Sequence, residues 1–153
     1  MFSQTTEYAL RAMSWLALTP EALVSTHALA EKTQVPPHYL AKVLQQLSAA
    51  NLIVGRRGVR GGYKISRAAS RITLLDVVRS VAEIQRITTC PLGLQSHGTT
   101  LCSLHRTTDA AAKAVIDIYG SVTLHDLLTD SRHPTPLCEA ATLTVSAPAA
   151  SRG

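Results

Sequence analysis

Apolar and polar positions alternate along the chain in a way that outlines most of its elements. From Glu7 to Leu18, Tyr8, Leu10, Ala12, Trp15, Leu16 and Leu18 fall broadly on one side, which predicts a helix that Thr19–Pro20 stops. Ser25–Thr26 offers an N-cap for a short helix, Ala28 to Thr33. Gln34–Val35 reads as a turn. Pro36–Pro37 then opens a second helix, with proline in the first positions where its missing N–H costs nothing. That helix runs to about Ala50, with Leu40, Val43, Leu44 and Leu47 on one face and Asn51 as its terminator. Two helices joined by so short a turn make a helix-turn-helix.

The period then switches. Leu52–Ile53–Val54 predicts a short strand, and Tyr63–Lys64–Ile65–Ser66 alternates like a returning one. Between them lies the glycine-rich turn Arg56-Arg57-Gly58-Val59-Arg60-Gly61-Gly62. A hairpin with a basic tip directly after a helix-turn-helix is a wing. Thr73 caps a further predicted helix from Leu74 to about Ile84. Gln85 to Leu101 has no clear period. Leu104 to Tyr119 predicts a long alanine-rich helix that Gly120 ends, followed by a last short helix capped by Thr123. From His133 on, proline, alanine, serine and threonine dominate, which predicts a disordered tail. The expected fold class is mainly α, a winged helix-turn-helix with a two-stranded wing and a long C-terminal helix.

Composition narrows the class. The 153 residues are 46% hydrophobic but only 4% aromatic, so the core is built of aliphatic side chains. Three cysteines cannot all pair within one chain, which argues against a secreted disulfide scaffold. No apolar run approaches the ~18 residues of a membrane span. Met1 to Thr5 lacks the basic and apolar regions of a signal peptide, so the expectation is a cytoplasmic protein with no membrane partner.

Charge sharpens the picture. The net charge is +5, and it is segregated: from Lys32 to Leu75 there are eight lysines or arginines and no acid, six of the eight between Arg56 and Arg71. One face of the protein is therefore positive, as a phosphate-binding footprint requires. The helix Pro37–Ala50 has the diameter to enter a major groove, with His38, Tyr39 and Lys42 near its start and off its core face. Arg56, Arg57, Arg60 and Lys64 on the wing would reach phosphates or an adjacent minor groove. Gly61 and its neighbours let the backbone approach closely, and Ser25 or Thr26 would bring a helix N-terminus to a phosphate. The implied partner is double-stranded DNA.

These residues also carry a resemblance. Glu7-Tyr8-Ala9-Leu10-Arg11-Ala12, Leu29-Ala30, Val35-Pro36, Tyr39-Leu40, Val43-Leu44, Leu47, Leu52-Ile53 and the wing Gly58-Val59-Arg60-Gly61-Gly62-Tyr63 resemble the Rrf-type winged-helix regulators, the family of IscR, NsrR and CymR. The similarity covers roughly Met1 to Thr129. It implies a bacterial transcription factor, expected to be a repressor, that forms a homodimer through the long helix. The implied organisation is a DNA-binding domain at 1–84, a candidate cluster-binding loop at 85–103, a dimerisation helix and short last helix at 104–130, and a tail at 131–153.

Cluster-binding members place three cysteines in a loop spaced Cys-x5-Cys-x5-Cys, in one branch followed by x2-His. Here Cys90 and Cys102 match the outer two and His105 the histidine, but the middle position is Ser96, next to His97. Glu7 stands where some members supply a carboxylate from the partner subunit. The resemblance therefore implies Cys90, Cys102, His105 and Glu7 as candidate metal ligands, with His97 as a substitute. Such a mixed set would suit a 2Fe–2S cluster better than a 4Fe–4S one, and the same donors would suit zinc or a thiol redox switch. A regulator without any cofactor is the competing reading. No nucleophile–base pair, phosphate loop or carboxylate pair suggests an enzyme, and a winged-helix adaptor for proteins would have no reason for so one-sided a charge.

Overall fold

The structure is a computed structural model, and it describes residues 3–97 and 100–138. Among these residues, six α-helices and one hairpin follow each other as α1 (Gln4–Leu18), α2 (Thr26–Thr33), α3 (Pro37–Ala49), β1 (Ile53–Arg56), β2 (Gly62–Ile65), α4 (Leu74–Val81), α5 (Ser103–Ser121) and α6 (Leu124–Thr129). The winged helix-turn-helix is present.

Helix α1 is the hub, packing against α2, α3, α4, α6 and β2. It starts a turn earlier than its apolar pattern suggests because Ser3 caps it, its hydroxyl accepting from the Thr6 N–H at 3.2 Å. Its buried face is Tyr8, Ala9, Ala12, Met13, Leu16 and Ala17, so the stripe is rotated from the expected one and Leu10, Trp15 and Leu18 lie at its margin. Small alanines let neighbouring helices approach closely, a choice that hydrophobicity alone does not reveal. Ser25 caps α2, which begins at Thr26 rather than Ala28, and Gln34 ends it in a left-handed conformation (φ 53°). Leu40, Val43, Leu44 and Leu47 of α3 are buried as expected, and Asn51 turns the chain at φ 55°. Each such leucine contributes roughly 1.5–3 kcal/mol by leaving water.

The hairpin is antiparallel, with Ile53 opposite Ile65, Val54 opposite Lys64, Gly55 opposite Tyr63 and Arg56 opposite Gly62. Ile53 and Ile65 are buried and root it in the core. Helices α4 and α6 begin alike. Thr73 with Asp76, and Thr123 with Asp126, each form a reciprocal capping box. The two caps bridge each other, Leu74 N–H donating to the Val122 carbonyl and Leu124 N–H to that of Ile72, both at 2.9 Å. Leu124 is thereby sealed in the same core as α1.

Two helix ends differ from expectation. Helix α4 stops at Val81 rather than near Ile84, because Ala82 is extended and the following segment is drawn onto α5 by Asp109. Helix α5 runs through Gly120 to Ser121, since it is ended by the pairing of Val122 with Leu74 and not by a glycine cap. Among the described residues between Pro91 and Leu101 there is one short 3-10 turn, Gln95–His97. Of the predicted tail, residues up to Cys138 are described and include a turn closed by Cys138 N–H on the Thr135 carbonyl. The rest, 139–153, lies outside the described residues.

Candidate nucleic-acid interface and cysteine loop

The wing is fastened to the start of α2. Val24 and Tyr63 exchange two backbone hydrogen bonds, at 2.9 and 2.8 Å, so Val24 acts as a short third strand. Gly62 makes this approach possible: a Cβ there would stand 2.4 Å from the Val24 carbonyl oxygen and 2.9 Å from the Ser25 nitrogen. The result is a cleft of about 430 Å³ lined by Ser25, Thr26, Ser48, Arg56, Arg57 and Gly61, among others. It brings the N-terminus of α2, the wing backbone and two guanidinium groups together, all of which favour an anion.

Of the predicted DNA-facing residues, Ser25, Thr26, Arg56, Arg57 and Gly61 line this cleft, whereas Lys64 lies on the other side of the hairpin beside Pro20, Glu21 and Val54. His38 and Tyr39 are exposed at the start of α3, their rings 4.1 Å apart between centroids. Tyr39 is 48% exposed yet also leans on the core ring of Tyr8 at 6.0 Å, so it faces both solvent and core. Lys42 follows one turn on and is exposed; Lys64 is half-buried on β2. Ser25 spends its hydroxyl on capping, accepting from the Ala28 N–H at 3.2 Å. Sequence reasoning missed Gln45 and Ser48, which continue the exposed face of α3. The i, i+3, i+4 spacing from His38 and Lys42 would have found both.

Charge is uncompensated here and compensated elsewhere. Among the described residues no acid pairs with Lys42, Arg56, Arg57, Arg60 or Lys64, whereas Arg11, Arg67, Arg86, Lys113 and Arg132 each meet a carboxylate. Lys32 lies over the Trp15 ring at 5.7 Å. Arg67 also donates to the Asn51 and Arg71 carbonyls, a structural role.

The cysteine loop lies on the other side of α4 in the chain. It is strapped to α5 at Asp109, which accepts from Arg86 Nε at 2.6 Å, Arg86 Nη2 at 2.7 Å and the Ile87 N–H at 2.8 Å. The Arg86 guanidinium holds the Asp109 carboxyl down at about 2. Beyond the strap, Cys90 is half-exposed. Backbone N–H donation from Leu94, then the His97 side chain and the Leu92 N–H, lower its thiol below the usual value. Cys102 is the N-cap residue of α5, its Sγ 3.4 Å from His105 Nδ1. Glu7 accepts from Arg11 Nε at 3.0 Å. Cys138 is exposed.

The loop therefore holds one hydrogen-bonded Cys–His pair, Cys102 with His105, while His97 stands near Cys90 with its Nδ1 buried and without a hydrogen-bond partner among the described residues. Among the described residues no three His, Cys, Asp or Glu side chains are gathered where they could hold a metal ion. Two thiols and imidazoles suit a 2Fe–2S cluster in kind, but as placed within one chain they do not form its seat.

The family model described as an iron-dependent transcriptional regulator, Rrf2, matches residues 2–130. The chain belongs to the Rrf2 family. A relative from Aquifex aeolicus, named as an HTH-type transcriptional regulator, is 26% identical over 141 residues, spanning 90% of this chain and 98% of its own length. Another so named, from Mycobacterium tuberculosis, is 31% identical over 120 residues, covering 75% of this chain and 74% of the relative. Among solved structures, T. potens IscR aligns over 85% of this chain and 87% of its own with a TM-score of 0.70 and 24% identity. CymR, the global cysteine regulator of B. subtilis, aligns over 83% and 95% with a TM-score of 0.68 and 25% identity. The Rrf2 chain is thus a DNA-binding transcriptional regulator of the winged-helix type, a class of proteins that are not enzymes. No helix among the described residues is long and apolar enough to cross a membrane.

Proposed function

We propose that this Rrf2 protein is a cytoplasmic homodimer that binds a palindromic duplex site with two copies of the cleft and helix just described. The observation that carries the reading is the cleft that gathers Arg56 and Arg57, which meet no acid among the described residues, with the N-terminus of α2. In this arrangement α3 enters the major groove with His38, Tyr39, Lys42 and Gln45 near base edges. Arg56, Arg57, Arg60 and Lys64 contact the backbone or an adjacent minor groove, Ser25 and Thr26 present backbone N–H groups to phosphate, and Gly61 lets the wing backbone come close. Residues 1–84 form the reading domain, and 104–130 contain the dimerisation helix.

The dimer is supported by α5. Leu104, Thr108, Ala111, Val115 and Ile118 recur at alternating steps of four and three, and Leu104 and Ile118 are 67% and 62% exposed. The adjacent face, through Asp109, Ala112, Ile116 and Tyr119, is half-buried against the body. A groove of about 380 Å³ continues the outer stripe past Thr6, Val78 and Ile84. Small residues at Thr108 and Ala111, near the middle of the stripe, suit the close crossing of two α5 helices about a two-fold axis.

The loop at 85–103 is the regulatory element in this reading, since the strap joins it to α5. With Cys102 held by His105 and no third donor gathered beside them among the described residues, the loop favours a regulator that works without a cluster. A second reading follows from the spacing. Cys90, Cys102 and His105, with Glu7 of the partner subunit or His97, would hold a 2Fe–2S cluster after the loop rearranges, and the cluster would supply redox or ligand sensitivity.

Selection of binding duplexes from random sequence, then titration at several salt concentrations, tests the main reading. A palindrome should emerge, and affinity should fall steeply with salt. A protein that selects no sequence, or binds without salt dependence, would contradict it. Iron and sulfide analysis after anaerobic purification decides between the two readings of the loop.

A further inference from the structure

Helix α3 and the wing meet at one peptide. The helix ends in a Schellman motif: the Asn51 N–H donates to the Ser48 carbonyl and the Leu52 N–H to that of Leu47, both at 3.0 Å, with Asn51 left-handed between them. The N–H of the Asn51–Leu52 peptide is thus locked into α3. Its carbonyl points the other way, as in any trans peptide, onto the chain returning from the wing. There it accepts from Ser66 Oγ at 2.6 Å and from Arg67 Nη1 at 3.2 Å, which fills both lone pairs.

Arg67 does more than close that corner. Its Nε donates to the Arg71 carbonyl at 3.0 Å, at the end of the 3-10 turn Ala69–Arg71. Its Nη2 stands 3.7 Å from Oδ2 of Asp76, the capping acid of α4. Three nitrogens of one guanidinium therefore face three separate segments. This sets Arg67 apart from the rest of the basic run. Arg56, Arg57 and Arg60 meet no acid among the described residues, so their charge is free for phosphate. The charge of Arg67 is offset by Asp76 and its fork is occupied. Arginine alone presents such a rigid, planar fork, whereas lysine keeps the charge as a single point.

Small errors at this corner are magnified at the wing tip. The hairpin is rooted at buried Ile53, and at ~3.3 Å per residue its tip lies roughly 20 Å further out, so a swing of ~10° carries the tip roughly 3 Å. A good hydrogen bond to a phosphate tolerates a spread of only about 0.5 Å. The wing cations would then miss their phosphates although none had been removed.

We propose that Arg67 is a positioning residue for DNA binding: with Ser66 it fixes the angle between α3 and the wing by holding the Asn51 carbonyl, and it touches no phosphate itself. This rests on the DNA-binding reading above. Double-mutant cycles on the selected palindrome test it. Arg67→Lys keeps the charge and should still weaken binding about tenfold, and Ser66→Ala, which removes no charge, about threefold. Urea unfolding should show both variants folded under the assay conditions. In a background carrying Arg57→Ala and Arg60→Ala, whose wing has little left to place, each should change affinity by less than about twofold. Parental affinity in Arg67→Lys would overturn the proposal. So would equal losses in the two backgrounds, the mark of an independent contact, or a Ser66→Ala protein that binds like the parent. Should Arg67→Lys fail to fold, the Ser66→Ala cycle decides alone. A parent that binds no duplex at low salt would instead overturn the DNA-binding reading itself, and this proposal with it.

Discussion

The reading head and the α5 arm are built on opposite plans. In the head, α1, α3, α4 and α6 converge on fully buried Leu16, Leu40, Leu47, Ile72 and Leu124, and every helix start but that of α3 carries a side-chain cap. In the arm, α5 is the longest helix among the described residues and has no buried residue at all. The head closes a core around α1. The arm leaves its apolar stripe outside, so its stability and its purpose both depend on what covers it. Apolar spacing alone does not separate these cases. Both α3 and α5 carry a stripe, and only packing shows that one faces inward and the other outward.

Substitutions should separate the two regions. The largest effect is expected in the head: Leu47→Ala should cost about 2–5 kcal/mol in urea unfolding, through lost transfer energy and a cavity. Ile118→Ala should leave monomer unfolding within about 0.5 kcal/mol of the parent while raising the dimer dissociation constant in sedimentation equilibrium. Equal destabilisation by the two would erase the distinction. Next, Gly62→Ala should push the wing off Val24 and lower DNA affinity on the order of tenfold, about 1.4 kcal/mol, with helical circular dichroism unchanged. Thr73→Ala and Thr123→Ala should each cost about 1 kcal/mol, since each cap serves its own helix.

The smallest effect concerns the strap. Asp109 has its carboxyl pulled down to about 2 by Arg86. A carboxyl depressed in the folded state stabilises above its unfolded value, near ~4, and that contribution disappears as pH falls toward 2. The strap should therefore hold at neutral pH and release in acid. Asp109→Asn should mimic the acid state at pH 7, seen as faster amide exchange at Ile87 with the head's amides unchanged. Unaltered exchange at Ile87 would show that the ion pair does not fix the loop.

Much of the head was legible in the sequence because its signals are local. Proline at the start of α3, the Thr73 and Thr123 caps, and the Arg/Gly wing each act within a few residues. What escaped was set by distant partners. The stripe of α1 is rotated because Ala9 and Met13 meet several neighbours at once. Helix α4 ends early because Asp109, far along the chain, draws Arg86 and Ile87 away. Gly120 fails to stop α5 because Leu74 pairs with Val122 instead. At the DNA face the cationic residues were visible in the charge pattern, and Gln45 and Ser48 were not, being uncharged. Spacing linked Cys90 with Cys102 and His105; the fold brings Cys102 and His105 to 3.4 Å, but gathers no third metal donor beside them among the described residues, which a loop without period does not announce.

The stoichiometry of the DNA complex tests the central claim most directly. Sedimentation velocity on a duplex carrying one selected palindrome should show two chains per duplex, and a hydroxyl-radical footprint on the same complex should be symmetric about the dyad. One chain per duplex, from a protein that stays monomeric at micromolar concentration, would contradict the pairing of two reading heads through α5.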